Sequence, residues 1–353
     1  MSHFTHILAR ELDYILDRSA SVWECLRGAR IFVTGGTGYY GTWLLESLAW
    51  AELRFALNIE VVVLSRNPNQ FLAANPFLRT QAFLSFSEGD IRTFHFPGGS
   101  FSHLIHAATE ASEELNNKNP LLMIDTIVGG TRRALEFAAH AGVKYFLHTS
   151  SGAVYGDLPT THEPVPEDHL WGPDISRPKW AYGEGKRIAE LLCSIYGQRH
   201  GINCTNARCF ATIGPRLPLN THFAVGNFIA DALGERDLTI KGDGTPIRSY
   251  IDVADVIVWL LHILVHGRAG SAYNVGSERG YSIAELANKV RDVLNPNLGI
   301  TLLGHTIHHQ LATVYVPSTF KARSELGLKA DIPLKTSIQR TADWEYVLRA
   351  NRT

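Results

Sequence analysis

The chain has 353 residues, 45% hydrophobic and 19% charged, with 33 basic side chains against 34 acidic ones and a formal net charge of −1. That balance excludes a disordered or fibrous chain and is long and apolar enough for one large domain or two unequal lobes. It supplies no broad positive field for nucleic acid or an anionic membrane, so neither is expected as a partner and anionic ligands must be held by local groups.

At the amino end, Leu8, Leu12, Ile15 and Leu16 recur at helical spacing, with Arg10, Glu11, Asp13, Asp17 and Arg18 on the other face. This predicts an amphipathic helix within residues 1–27, lying on the domain or on a partner subunit. Short apolar runs then alternate with longer helical patterns. Strands are expected at 30–34, 60–65, 83–86, 103–107, 145–149 and 204–210, and helices near 40–53, 120–141 and 182–199. That rhythm is the signature of an α/β fold built on a doubly wound parallel sheet. After about residue 210 the pattern becomes mixed and rich in Gly and Pro, then helical again near 283–294, which predicts a smaller mixed α/β lobe. The longest apolar run, Val256 to Val265, contains His262 and falls well short of the ~20 residues that cross a bilayer, so it reads as a buried core helix.

The first predicted strand runs straight into Gly35-Gly-Thr37-Gly38-Tyr39-Tyr40-Gly41, where a helical pattern begins. Glycines at 35, 38 and 41 let the turn tighten, bring backbone N–H groups against a pyrophosphate and let the helix pack closely on the sheet. A dinucleotide is therefore expected here, in a Rossmann-type arrangement. At the end of the second strand an acidic residue would grip the ribose of NAD, but the chain has Ser65-Arg66-Asn67. A guanidinium with a hydroxyl suits a 2′-phosphate, which favours NADP over NAD. Asp90 and Ile91, after the third strand, are candidate adenine contacts. The expected division is a helix at 1–27, a dinucleotide-binding domain at 28–210 plus about 251–270, and a substrate-binding lobe at about 211–250 plus 271–353.

Tyr182 and Lys186 stand four residues apart at the start of a helix and so share one face. A free phenol, with a pKa near 10, is a poor base at neutral pH, but a neighbouring ammonium favours the phenolate. Tyr182 becomes the candidate acid/base, tuned by Lys186. Ser151, in the hydroxyl cluster that ends the fifth strand, can hydrogen-bond the same substrate oxygen.

These motifs, with His106-Ala107-Ala108, Ser150-Ser151, the segment Gly242 to Asp255, Tyr273-Asn-Val-Gly276 and the terminal Thr341-x-x-Trp344, resemble the extended short-chain dehydrogenase/reductase family in its nucleotide-sugar epimerase/dehydratase branch. The likeness spans nearly the whole chain. It implies that Asn227 and Arg248, with Arg216, hold the phosphates of a nucleotide-diphosphate sugar and that Ser150 contacts the substrate. It also implies that His106 to Ala108 and Thr131 line the cofactor cleft. The helices near 120–141 and 182–199 would pair with their copies in a homodimer. In the same branch the dehydratases resemble one another in an Asp-Glu pair before Val-Tyr-Gly, and the sugar decarboxylases carry Glu there. This chain has Gly152-Ala153.

Without those carboxylates, the resemblance implies a nucleotide-sugar 4-epimerase acting by transient C4 oxidation. Two alternatives stay open: an NADPH-dependent 4-keto-6-deoxysugar reductase, and a non-catalytic cofactor-sensing or RNA-associated relative. No metal is expected: His305, His308 and His309 lack acidic or thiol ligands at fixed spacing. His222 reads as a loop histidine that could approach the sugar. Cys25, Cys193, Cys204 and Cys209 have no CxxC spacing, and with no secretory signal they point to a cytoplasmic setting.

Overall fold

The computed structural model describes residues 7–109, 113–158, 163–219, 221, 223–304 and 313–350. His222, His305, His308 and His309 lie outside them. In chain order the first elements are α1 (Ala9–Arg18), α2 (Ala20–Cys25), β1 (Arg30–Thr34), α3 (Tyr39–Phe55), β2 (Glu60–Ser65), α4 (Pro68–Ala74), α5 (Pro76–Arg79), β3 (Leu84–Glu88) and β4 (His103–His106). There follow α6 (Glu113–Lys118), α7 (Pro120–Ile124), a π turn (Asp125–Gly129), α8 (Gly130–His140), β5 (Tyr145–Ser151), α9 (Ala181–His200), β6 (Asn203–Cys209) and β7 (Thr212–Ile213). The remainder comprises α10 (Ala224–Leu233), β8 (Leu238–Ile240), β9 (Ile247–Ser249), β10 (Ile251–Asp252), α11 (Val253–His266), β11 (Ala272–Val275), β12 (Gly280–Ser282), α12 (Ile283–Leu294), β13 (Ile300–Leu302), β14 (Val314–Tyr315), α13 (Phe320–Leu326) and α14 (Leu334–Ala350).

One seven-stranded sheet has the order β3-β2-β1-β4-β5-β6-β11. The pairs β2–β3, β1–β2, β1–β4 and β4–β5 are parallel. This is the Rossmann-type order, and the chain reverses direction across the sheet between β1 and β4, where ligands bind outside the carboxyl ends of the strands. β1 and β2 carry continuous apolar runs, Ile31 to Val33 and Val61 to Leu64, because both of their faces are covered. Phe32 of β1 packs on Phe94 at 5.6 Å and on Phe137 of α8 at 4.6 Å between ring centroids, inside a cluster that includes Leu104 and Phe146.

Helix α3 is apolar almost all round, with Trp43, Leu44, Leu45, Leu48 and Ala49 all at or near zero exposure. The amino-terminal helix explains this. The α1 stripe of Leu12, Ile15 and Leu16 is buried, and Trp50 Nε1 of α3 donates to Asp13 Oδ1 at 2.7 Å. The expected amphipathic helix thus lies on its own domain.

The chain divides into two units, Met1–Val154 with Ile175–Arg208 and Ile257–Tyr273, and Tyr155–Asp174 with Cys209–Val256 and Asn274–Thr353. The expected division differs over residues 155–174, which belong to the second unit. There Tyr155 Oη donates to Asn274 Oδ1 at 2.7 Å, and Asn274 Nδ2 donates to the Val165 carbonyl at 2.9 Å. The amino-terminal helix belongs to the first unit, and the boundary also cuts helix α11. The helix expected over 120–141 is interrupted by the π turn, where the Gly129-Gly130 pair allows Gly130 to approach Ile91. The second unit holds the paired strands β7–β10, β8–β13 and the three-stranded set β12-β9-β14, none of which the sequence pattern outlines.

Candidate active site

The glycine turn after β1 is built for backbone, not side chains. Gly35 has φ +70°, and a Cβ there would run into the Ala107 carbonyl and the backbone N of Ala108, 2.5 Å away. A Cβ on Gly41 would strike the Gly35 carbonyl. Thr37 and Gly38 are exposed where α3 begins, and the first turn of α3 carries no acidic residue. Tyr39 and Tyr40 follow, with rings 5.6 Å apart. An anion placed there meets N–H groups and the positive end of a 17-residue helix. The cradle fits a dinucleotide pyrophosphate.

Around it, His106 ties three elements together. One ring nitrogen is 2.7 Å from Thr34 Oγ1 of β1 and the other 3.0 Å from Thr131 Oγ1 of α8. Full burial, with the nearby Lys186 charge, pushes His106 down to about 3, so this link is neutral. Ala107 and Ala108 are half-buried beside the turn. At the end of β2, Ser65 is buried and its Oγ accepts from Asn67 N at 3.2 Å, while Arg66 is exposed. Ile91 is buried and Asp90 is gripped by Arg92, whose Nε lies 2.8 Å from Oδ1. That bond, with smaller help from the Arg66 charge, holds the Asp90 carboxyl below its usual range.

The chemistry gathers where β5 meets α9. Ser151, the last residue of β5, accepts from Ala153 N at 3.2 Å, which leaves its own O–H proton for another acceptor. Tyr182 is in the first turn of α9, and its N–H is capped by Asn116 Oδ1 at 3.0 Å while Asn116 Nδ2 donates to Lys179 O at 2.7 Å. Lys186 is 2% exposed. Its Nζ donates to the Thr149 carbonyl at 2.7 Å and to Thr109 Oγ1 at 3.1 Å, and lies 5.9 Å from the centroid of the Tyr182 ring. Phenol and ammonium are thus brought together, with the cation fixed by the strand that carries Ser151.

Ser150 has a different place from the expected substrate contact: its Oγ donates to Glu190 Oε1 at 2.5 Å, inside an ion pair between Glu190 and Arg208. In the second unit, Arg248 donates through Nη1 to Ile247 O at 2.9 Å and to Thr313 O at 3.3 Å, leaving Nε and Nη2 for an anion among the described residues. Burial lowers its pKa from the ordinary value. Arg216 has φ +68° and its guanidinium lies 4.6 Å from the Trp344 ring centroid. Asn227 is half-buried on α10. Sequence reasoning missed Asn116, Thr109, Thr149, Glu190 and Arg208. Of these only Glu190 carried a signal, its position four residues after Lys186.

No group of His, Cys, Asp and Glu able to hold a metal ion occurs among the described residues, and no described helix is long and apolar enough to cross a membrane. Residues 31–276 match the model of the NAD dependent epimerase/dehydratase family. UDP-glucuronic acid decarboxylase 3 of Arabidopsis thaliana is 30% identical over 93% of this chain and 92% of its own length. UDP-glucuronic acid decarboxylase 1 of Xenopus tropicalis is 27% identical over 88% of this chain and 71% of its own. Among solved structures, the UDP-glucose 4-epimerase of Thermotoga maritima superposes with a TM-score of 0.76 at 22% identity, covering 91% of this chain and 99% of that one. The UDP-glucuronic acid 4-epimerase of Bacillus cereus, in complex with UDP-glucuronic acid and NAD, gives 0.76 at 22% identity over 90% and 99%. At that identity the two structures speak to the fold.

Proposed function

The chain belongs to the NAD-dependent epimerase/dehydratase family of nucleotide-sugar enzymes, and on that premise we propose that it is a 4-epimerase of a UDP-sugar. The observation that supports this reading is the composition of the β5–α9 region: Lys186 lies beside the Tyr182 ring and is bonded to the strand that ends in Ser151, and the positions after Ser151 are Gly152 and Ala153. Decarboxylases and dehydratases of the branch resemble one another in carboxylates there. With none in this chain, the acid or base those reactions use beyond C4 is missing, while inversion at C4 needs only this set.

A nicotinamide dinucleotide bound at the 35–41 turn supplies the oxidation and the returning reduction at C4. Tyr182 Oη takes the proton of the sugar hydroxyl and gives it back. Lys186 keeps the phenolate accessible near neutral pH. Ser151 donates to the same oxygen and holds it in place through both directions. Asn227, Arg216 and Arg248 hold the diphosphate in this reading, Arg248 through the free part of its guanidinium fork.

A second reading, reduction of a 4-keto sugar, draws on Ser65-Arg66-Asn67 at the end of β2, where an exposed guanidinium and no carboxylate favour NADP. The purified protein incubated with UDP-glucose, UDP-glucuronic acid or UDP-N-acetylglucosamine and either cofactor separates the outcomes. The 4-epimerase reading expects the C4 epimer with no net change in reduced cofactor. Carbon dioxide release, or stoichiometric consumption of NADPH with a 4-keto sugar, would replace it.

A homodimer belongs to the same proposal. On α9, Ile188, Leu191 and Ile195 recur at helical spacing with exposures of 40%, 59% and 47%, and Leu121 of α7 is 75% exposed. Such a stripe favours a second copy of the chain. A cytoplasmic setting is supported by four cysteines that all stand as thiols.

A further inference from the structure

Tyr182, Lys186 and Glu190 occupy i, i+4 and i+8 of α9 and so share one face. Lys and Glu four residues apart on a helix readily pair, and that pairing here would set a carboxylate on the ammonium that serves Tyr182. Glu190 is held elsewhere. Arg208 of β6 takes both of its oxygens, Nη2 to Oε2 at 2.7 Å and Nε to Oε1 at 3.0 Å, and Ser150 Oγ donates to Oε1. The two side chains are only 13% and 15% exposed, so the fork is nearly sealed from water.

We propose that Arg208 is a positioning residue whose grip on Glu190 keeps that carboxylate off Lys186, so that the field of the ammonium stays on the Tyr182 phenol. This rests on the reading of Tyr182 as acid/base and names what sets its proton affinity.

Among the described residues, other titratable groups on the neighbouring elements are neutral or paired. His106 on β4 and His148 on β5 are neutral, both pushed down by burial and then by the Lys186 charge. Cys193, the next residue but two after Glu190, is kept a thiol by burial. Glu184 pairs with Arg187, Asp125 of the π turn acts on Arg92, and Lys179 stacks on Trp180. Among the described residues, Glu190 is the carboxylate that stands four residues on from Lys186 along the same face of α9.

The test compares the full chain with Arg208→Met and with the double variant Arg208→Met/Glu190→Gln, by ultraviolet difference titration of phenolate. Each is measured against its Tyr182→Phe counterpart, so that the subtraction isolates Tyr182. Arg208→Met frees the carboxylate to neutralise Lys186, and the Tyr182 ionisation moves to higher pH by about one unit or more. The double variant has no carboxylate and returns close to the wild-type midpoint. A wild-type midpoint in Arg208→Met, or a double variant shifted as far as the single, overturns the proposal. Should Arg208→Met not fold, Arg208→Lys is read in the same way, with a smaller shift in the same direction that Glu190→Gln removes. The readout needs no turnover, so failure to act on any UDP-sugar would remove the proposed reaction and leave this titration to decide separately.

Discussion

Lys186 Nζ donates to the carbonyl of Thr149 at 2.7 Å, so the cation beside the Tyr182 ring is pinned by the strand that ends in Ser151. Helix and strand therefore carry phenol, cation and hydroxyl side by side in the fold, and the glycine turn opens at the carboxyl end of β1 in the same sheet. The consequences can be measured.

Replacing Gly35 by Ala places a methyl group against the backbone of Ala107 in a left-handed conformation. The expected effect is a loss of about 1–3 kcal/mol of stability, together with a dinucleotide Kd weakened at least about tenfold. Urea unfolding and cofactor fluorescence titration check the two. Wild-type values for both would remove the turn from the site.

Arg66→Ala discriminates between cofactors. If the guanidinium faces a 2′-phosphate, NADP binding weakens by about one to two orders of magnitude, as for loss of a charge-assisted contact, while NAD binding holds within about twofold. Equal weakening of both would put Arg66 on a part the two dinucleotides share, and weakening of neither would assign it to solvent. Calorimetric titration with each dinucleotide gives the answer.

Acid weakens the fold through its buried histidines. His106 is pushed down to about 3 and His103 to about 4, both by burial, whereas in the unfolded chain each titrates near 6.5. Between those values the unfolded state binds more protons, so this contribution is full above pH 6.5 and is lost as pH falls towards 4 and below. Unfolding free energies at about pH 7 and about pH 5 should differ, and His106→Gln should reduce the difference. An unchanged pH dependence in that variant would show that His106 takes up its proton over the same pH range in the folded and unfolded chain.

Leu191→Glu places a charge in the middle of the exposed α9 stripe. Sedimentation velocity should report a dimer for the wild type and a monomer for the variant, with both chains folded by circular dichroism. A wild-type monomer contradicts the dimer outright.

What the sequence discloses and what it hides have physical causes. β1 and β2 begin and end where their apolar runs do, because a parallel strand covered on both faces leaves a continuous signature. Helix α9 is legible from residue 182 because Tyr182 and Lys186 carry a spacing. The strands of the second unit are two or three residues long, too short for any period to register. Asn116 caps α9 from 66 positions upstream, and Arg208 reaches Glu190 from a neighbouring strand, contacts that no local pattern encodes. Ser150 and Ser151 are adjacent in the sequence, but successive residues of a strand face opposite ways, and it is Ser150 that meets Glu190.

In the proposed reaction the Tyr182 phenol moves the proton at the sugar hydroxyl. Tyr182→Phe, assayed with the best UDP-sugar substrate beside its dinucleotide Kd, tests it most directly. Turnover should fall by about 10²–10⁴-fold while the Kd stays within about twofold. Turnover near the wild-type rate would contradict it.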